Sequence, residues 1–189
     1  MTNKILSATA LVGVCLMIPV STNGQSTGEV FTSTAVVKSA DGKSASAPVT
    51  ITIDRKMSEK EAGSLANAFK AGGAAALRKA LEGVPATGTV RVGDGTVTPT
   101  RFTIERPTPG GRLLTILTDQ PLLFIGAGVP GAKPKEGYDF AVIDIEVDAK
   151  GSGSGTLAPA AKIRMNQGAF VVEDFGAEVV QLTGVKKTK

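Results

Sequence analysis

Short runs of alternating or β-branched residues, separated by turn residues, constrain this chain more than any other feature of its sequence. Turn pairs such as Asp41-Gly42 and Asp94-Gly95 punctuate the runs. An antiparallel meander of this kind must bury one face of each strand and limit its exposed edges. We therefore predict a mainly β fold, an antiparallel β-barrel or β-sandwich of about eight or nine strands. The runs are 30–38, 49–54, 89–92, 101–105, 113–118, 140–148, 156–165, 169–173 and 178–182.

One segment has helical periodicity instead. Ser58 followed by Glu61 matches a capping box, apolar residues then recur at helical spacing, and Gly83 ends the pattern. Gly72-Gly73 lies in the middle, where two glycines cost roughly 2 kcal/mol relative to alanines. We predict one kinked or split α-helix at about residues 58–82. The kink either allows close approach to a strand, or serves as a hinge, or simply separates two short helices, and we favour the simple break.

The first residues are typical of an export signal. Lys4 precedes an uncharged, mostly apolar segment, 5–18, and Pro19 ends it. A membrane-spanning helix needs roughly 20 apolar residues, so this segment favours a cleaved signal peptide over an anchor. We predict a signal peptide at residues 1–24 and a single β-rich domain at 25–189, with no membrane span after cleavage.

The residue types available exclude several kinds of catalysis. The chain has no histidine, and its one cysteine, Cys15, lies in the predicted signal, where we interpret it as an ordinary apolar residue rather than a lipid attachment site. A histidine-dependent triad, a cysteine nucleophile, a disulfide and a zinc site of His or Cys are therefore excluded. Carboxylate pairs such as Glu173-Asp174 leave a hydrolase that works with carboxylates alone as a weaker hypothesis, and the absence of Trp with only one Tyr disfavours sugar substrates for it. We predict no enzyme activity, no catalytic residues, no metal and no cofactor.

The segment 126–138 is the predicted binding element. Its first six residues match the G-x-G-x-x-G spacing, but prolines and charged residues follow where a dinucleotide site needs a helix, so we reject that motif. What remains is a long Gly, Pro and Lys-rich loop, and such loops on a rigid sheet often bind ligands. The alternative is a surface excursion between two strands. The candidate ligand-binding residues are Gly126, Gly128, Lys133, Lys135 and Tyr138.

Three carboxylates alternate with apolar residues along the run 140–148. Asp144, Glu146 and Asp148 would project to one face, spaced about 7 Å apart in a row too stretched to surround one ion. We predict a solvated face there, and a core face formed by Ile143 and its apolar neighbours.

The Gly-Ser segment 151–155 resembles a flexible linker in composition. It is short and lies between two strand patterns, so we predict a hairpin loop rather than a domain boundary.

The charge distribution limits the class of partner. The chain carries 21 basic and 17 acidic residues, for a net charge of +4, without a basic stripe interleaved with aromatic residues. Such a stripe is what a nucleic-acid surface requires, so we predict no nucleic-acid partner.

Together these patterns predict an exported protein, periplasmic or extracellular, that is not a catalyst. We expect it to bind a small apolar ligand in or at the mouth of a β-barrel. The alternative is an envelope or extracellular protein that associates with other envelope proteins through its surface and carries no ligand. The oligomeric state stays open.

Signal cleavage is directly testable. Leu11→Arg, in the middle of the apolar segment, should block export because a charge interrupts the segment that the export machinery recognises. Thr22→Ser should leave export unchanged. The intact mass of the exported protein should correspond to a start near Gln25, and a full-length exported chain would contradict the prediction.

Overall fold

The computed structural model describes residues 28–38, 44–122, 136–166, 169–174 and 179–189. Within them the chain forms ten strands and one helix, which confirms the predicted mainly β fold. The elements are β1 (Glu29–Lys38), β2 (Ser44–Ile53), α1 (Glu59–Glu82), β3 (Gly88–Val92), β4 (Thr98–Thr100), β5 (Phe102–Thr108), β6 (Gly111–Leu117), β7 (Phe140–Val147), β8 (Ser152–Asn166), β9 (Ala169–Asp174) and β10 (Val180–Lys187).

Nine strands form a nearly closed antiparallel barrel in the order β4-β3-β2-β1-β10-β8-β7-β6-β5, and β9 pairs with β8 outside this path. Of the two predicted architectures, the barrel is therefore the one observed. The two ends of the sheet, β4 and β5, are consecutive in the chain and separated only by Arg101. The same extended segment therefore pairs with β3 by its first part and with β6 by its second.

Buried threonine hydroxyls link the two ends of the sheet where the strand ladder is interrupted. The Thr87 hydroxyl lies 3.0 Å from the Thr100 hydroxyl and 2.9 Å from the Thr103 hydroxyl, and all three residues are buried. The Thr87 N–H donates to the Thr100 carbonyl, and the Met57 N–H donates to the Thr103 carbonyl, both at 2.8 Å. The polar groups that have no strand partner at the bend between β4 and β5 therefore form hydrogen bonds inside the protein.

Aliphatic side chains fill the interior of the barrel in cross-strand rows. Ile116 on β6 pairs with Ile143 on β7, which pairs with Leu157 on β8, and directly paired residues project to the same face. All three side chains are 0% exposed. Ile145 and Val147 are also buried in this cluster, which confirms the predicted core face of the 140–148 strand.

The helix packs against the outside of the same sheet. Leu117, Val142 and Ala158 form a row of paired residues on the outer face of β6, β7 and β8. They belong to one buried cluster with Leu77 and Leu81 of α1, both 0% exposed. The protein therefore has a second core between helix and barrel wall.

The local features predicted for α1 are confirmed. The Glu61 N–H donates to the Ser58 hydroxyl at 3.3 Å, and the Ser58 N–H donates to the Glu61 carboxylate at 2.8 Å, which completes the capping box. Gly73 breaks the helix with φ 65° and ψ −153°, a conformation that is essentially restricted to glycine. A Cβ at Gly73 would meet nothing within 4 Å, which fits a simple break. No helix in the described part of the chain is both long and apolar enough to cross a membrane.

The predicted hairpin loop at 151–155 is wrong for most of its length. The turn ends at Gly151, and Ser152 begins β8, which pairs with both β7 and β10. A Cβ at Gly153 would overlap the Glu146 carbonyl oxygen of the neighbouring strand. Glycine therefore serves here to let two barrel strands approach closely, a use that composition does not distinguish from a flexible loop.

Two glycine substitutions test this close approach. Gly153→Ala should lower the free energy of unfolding by about 1–3 kcal/mol, because the added methyl overlaps a backbone atom that cannot move aside easily. Gly63→Ala is the control: it lies in α1 with nothing within 4 Å of an added Cβ, so it should raise stability by about 0.5–1 kcal/mol. Urea unfolding measures both, and a neutral Gly153→Ala variant would contradict the close packing.

Candidate functional site

Charged side chains close one end of the barrel from the inside. Glu105 pairs with buried Leu114, Arg112 with buried Val147, and Lys187 with buried Phe31. Paired residues share a face, so these charged residues continue the inner face of the barrel at its rim. Glu29, two residues before Phe31 on β1, also projects inward. We call this end the mouth, and the mouth cluster comprises Glu29, Lys56, Glu105, Arg112 and Lys187.

Glu29 is the centre of the mouth cluster and is itself buried. Its carboxylate receives a two-pronged contact from Arg112, with Nη2 at 2.6 Å from Oε1 and Nη1 at 3.2 Å from Oε2. Lys187 Nζ lies 2.8 Å from Oε1, and Lys56 Nζ lies 3.2 Å from Oε2. One carboxylate therefore holds three cations that come from distant parts of the chain.

A second carboxylate completes the network. Arg112 Nη1 donates to Glu105 Oε2 at 2.7 Å, and Lys56 Nζ also forms an ion pair with this oxygen. The Arg112 guanidinium lies 5.9 Å from the centroid of the Phe31 ring, a cation–π distance. The cluster thus connects β1, β5, β6, β10 and the segment before α1, and it rests directly on the apolar interior.

The network keeps both carboxyls ionised. Burial by itself raises the pKa of Glu29, but hydrogen bonds from Arg112, Lys187 and Lys56 together outweigh it and lower the pKa to about 2. The pKa of Glu105 is also lowered, because Lys56 and Arg112 outweigh the opposing effect of burial. Both groups are therefore acceptors, not acids, near neutral pH.

A shallow pocket of about 440 Å³ lies beside the mouth cluster. It is formed by the β5–β6 hairpin, the turn between β7 and β8, and the end of β10. Its lining residues are Glu105, Pro107, Gly111, Arg112, Asp148, Ala149, Lys150, Gly151 and Lys187.

The turn between β7 and β8 is held in a defined shape. Asp148 Oδ1 accepts hydrogen bonds from the N–H groups of Lys150 and Ser152, at 2.8 and 2.9 Å, and these backbone hydrogen bonds, Ser152 first, lower its pKa. Gly151 adopts φ 79°, and a Cβ there would overlap Cβ of Lys187. The Lys187 N–H donates to the Gly151 carbonyl at 2.8 Å. This contact holds the turn against β10, and Lys150 and Lys187 both line the pocket.

The loop predicted as the binding element falls largely outside the described residues, namely at Gly126, Gly128, Lys133 and Lys135. Tyr138 is described and is buried before β7. Its hydroxyl donates to Asp174 Oδ2 at 2.5 Å, and this hydrogen bond, with burial, raises the pKa of Tyr138. β7 runs from Phe140 to Val147, and Val147 is the end at the mouth. Tyr138 therefore lies towards the opposite end of the barrel, and the structure does not bring it together with the mouth cluster.

Sequence reasoning missed the mouth cluster. Its five members are spread from Glu29 to Lys187 as single charges at the ends of strands, and no local motif joins them. The one usable signal is a charged residue that continues an inward-facing row, such as Glu29 before Phe31 on β1. That signal becomes visible only when the strand register is known.

The predicted solvated face of Asp144, Glu146 and Asp148 is correct for Glu146 and Asp148 and wrong for Asp144. Glu146 is exposed, whereas Asp144 is half-buried and accepts a hydrogen bond from the Thr115 hydroxyl at 2.6 Å. Burial is the largest influence on Asp144 and raises its pKa. Among the described residues, no group of three or more His, Cys, Asp or Glu side chains is placed to hold a metal ion.

Comparisons with protein-family models, with curated proteins and with solved structures found no match.

The mouth cluster predicts a specific pH dependence. The pKa of Glu29 is lowered when the protein folds, so Glu29 stabilises the fold above its ordinary pKa of 4.5, and this contribution is lost as the pH falls from about 4.5 to about 2. Glu29→Gln should therefore lower the free energy of unfolding by roughly 1–2 kcal/mol near neutral pH, a value reduced by solvent screening. The difference from the unsubstituted protein should shrink towards pH 2.

The control for this experiment is Glu82→Gln, which removes an exposed carboxylate at the end of α1. It should change stability far less at either pH. Denaturant unfolding at several pH values measures both variants. An effect of Glu29→Gln that stayed constant down to pH 2 would be inconsistent with a carboxylate held by three cations.

Proposed function

We propose that this protein is an exported, non-catalytic binding protein that takes a small ligand at the mouth of its barrel. The observation that carries the proposal is the pocket of about 440 Å³ beside the mouth cluster. Pockets that bind small molecules are typically about 300–1,000 Å³. The pocket is lined by the β5–β6 hairpin, the turn between β7 and β8 and the end of β10, and binding sites are commonly built on loops positioned by a rigid scaffold.

Packing inside the barrel supports a ligand at the mouth over one in the interior. Leu114, Ile116 and Ile143 are each 0% exposed. A side chain that bordered a cavity large enough for a water molecule would have accessible surface, so protein atoms surround these side chains completely. An apolar ligand would find no space in this layer without displacing them.

The chemistry of the mouth supports a non-catalytic role. A general acid needs a carboxyl whose pKa is raised towards neutral pH, whereas both carboxyls of the mouth cluster have lowered pKa values. The chain contains no histidine to serve in their place. Export rests on the predicted signal at residues 1–24.

The alternative function is an envelope or extracellular protein that acts through its surface and carries no ligand. The packed interior does not distinguish the two functions. A barrel filled by its own side chains can support either a ligand site at its mouth or a surface that binds other proteins. The mouth pocket is what distinguishes the first proposal.

Native mass spectrometry of the protein, purified gently from an exporting host, tests the proposal. We expect a reproducible extra mass that is lost on denaturation. Ala149→Trp should remove it, because Ala149 is exposed and lines the pocket, and a large ring there would fill the space. Ala75→Trp, at an exposed position of α1, is the matched control and should keep the extra mass.

Two results would overturn the proposal in favour of the surface-acting alternative. One is a bare mass for the unsubstituted protein, above all in a defined oligomer. The other is an extra mass that Ala149→Trp and Ala75→Trp retain equally, because that ligand would lie away from the mouth.

A further inference from the structure

We propose that the ligand of the mouth pocket is a small molecule with an oxyanion group, a carboxylate or a phosphate, held by Lys150 and Lys187. This inference rests on the proposed function and adds the chemical class of the ligand. It follows from the charge balance at the mouth, from the placement of the two lysines and from the contacts that the carboxylates already make.

Cations outnumber carboxylates around the pocket. The mouth cluster and the turn between β7 and β8 together supply four basic side chains and three acidic ones. The basic residues are Lys56, Arg112, Lys150 and Lys187, and the acidic residues are Glu29, Glu105 and Asp148. Asp148 is also occupied with backbone N–H groups of its own turn. The local excess is therefore positive, and a cleft with such an excess attracts anions.

Lys150 forms no ion pair with another described residue, although its charge helps, after the backbone hydrogen bonds, to lower the pKa of Asp148. It is exposed, it lines the pocket, and no carboxylate of the described residues lies within ion-pair distance of its ammonium group. Asp148, two residues away, directs Oδ1 to backbone donors. The ammonium group of Lys150 thus has all of its hydrogen-bond donors available to a ligand.

Lys187, which also lines the pocket, supplies a second donor. Its side chain is 37% exposed even though its ammonium group contacts Glu29. An ammonium group has three N–H donors, so the contact with Glu29 leaves donors for a ligand. The hydrogen bond from the Lys187 N–H to the Gly151 carbonyl keeps this strand end next to the turn that carries Lys150.

The remaining lining suits the carbon skeleton of such a ligand. Pro107 and Ala149 contribute apolar surface. Arg112 is already bound to Glu29 and Glu105, so we assign it the role of holding the anchoring carboxylates in place, not of the main ligand contact.

A cationic ligand fits the same pocket poorly. Glu105 and Asp148 line the pocket, and Glu29 lies next to it in the mouth cluster. Both oxygens of Glu29 and Oε2 of Glu105 are paired with Arg112, Lys56 or Lys187, and Oδ1 of Asp148 accepts two backbone N–H groups. A ligand cation that took one of the paired Glu oxygens would displace a basic side chain and leave it without a partner in a partly buried site, which is strongly unfavourable.

Titrations followed by NMR test the inference on the mature protein labelled with ¹⁵N. The probes are citrate for carboxylates, inorganic phosphate for phosphates, and putrescine as a cation, all at matched ionic strength with chloride. The backbone amides of Gly111 and Gly151 report on the pocket because both residues line it. We expect citrate, phosphate or both to move these signals saturably and putrescine to leave them unchanged. The ratio of the two anion affinities identifies which oxyanion the pocket prefers.

The variants Lys150→Gln and Lys70→Gln remove one positive charge each. Lys150 has no structural ion pair to lose, and Lys70 is exposed on α1 beside Phe69, which packs on Phe170 away from the mouth. Lys150→Gln should weaken anion binding by roughly fivefold, and Lys150→Arg should restore most of it. Lys70→Gln should leave the affinity unchanged.

Each contrary result overturns one defined claim. If putrescine or a co-purified neutral molecule moves the mouth amides and neither anion does, the anion inference is wrong and the proposed binding function stands. If Lys150→Gln and Lys70→Gln weaken anion binding equally, the effect is one of net charge and the assigned site is wrong. If no probe moves the amides and native mass spectrometry shows a bare protein, the proposed function fails as well.

Discussion

Closure of the sheet by its own chain is the constraint on which the rest of this structure depends. β4 and β5 are the two ends of the sheet and also neighbours in sequence, so one bent segment pairs with β3 on one side and β6 on the other. The hydroxyls of Thr87, Thr100 and Thr103 satisfy the polar groups at the bend. Because the sheet is nearly closed, each strand of the barrel wall has one face towards the interior, and the aliphatic rows on these faces pack away from water.

The mouth follows from the same geometry, because an inner face that reaches the rim of a barrel must meet water. At this boundary between the apolar interior and water, the Glu29 carboxylate binds Arg112, Lys187 and Lys56. The network shields the apolar interior and also presents charge to the pocket beside it. Stability and the proposed binding therefore share residues, and a change at Arg112 would disturb both. Lys150 differs from these residues, because it forms no ion pair among the described residues. Its proposed role in binding can therefore be tested separately from folding.

Much of the fold was predictable from local patterns. The capping box at Ser58 and Glu61 and the break at Gly72-Gly73 act within a few residues, so the sequence displays them directly. The apolar alternation of β7 shows which of its residues face the core. β4 was missed because it has only three residues, Thr98–Thr100, with a proline in the middle. The start of β8 was mistaken for a loop because Gly153 and Gly155 serve close strand contact.

The sequence by itself determined the strand-rich class, the one helix with its cap and its kink, and the exclusion of histidine chemistry. Each of these depends on residue type or on neighbours within a turn or two. Only the tertiary structure decided that the sheet closes into a barrel and that Glu29, Glu105, Arg112 and Lys187 meet at its mouth. These residues are brought together by strand register, and register depends on pairing between segments far apart in the chain, which no local pattern records.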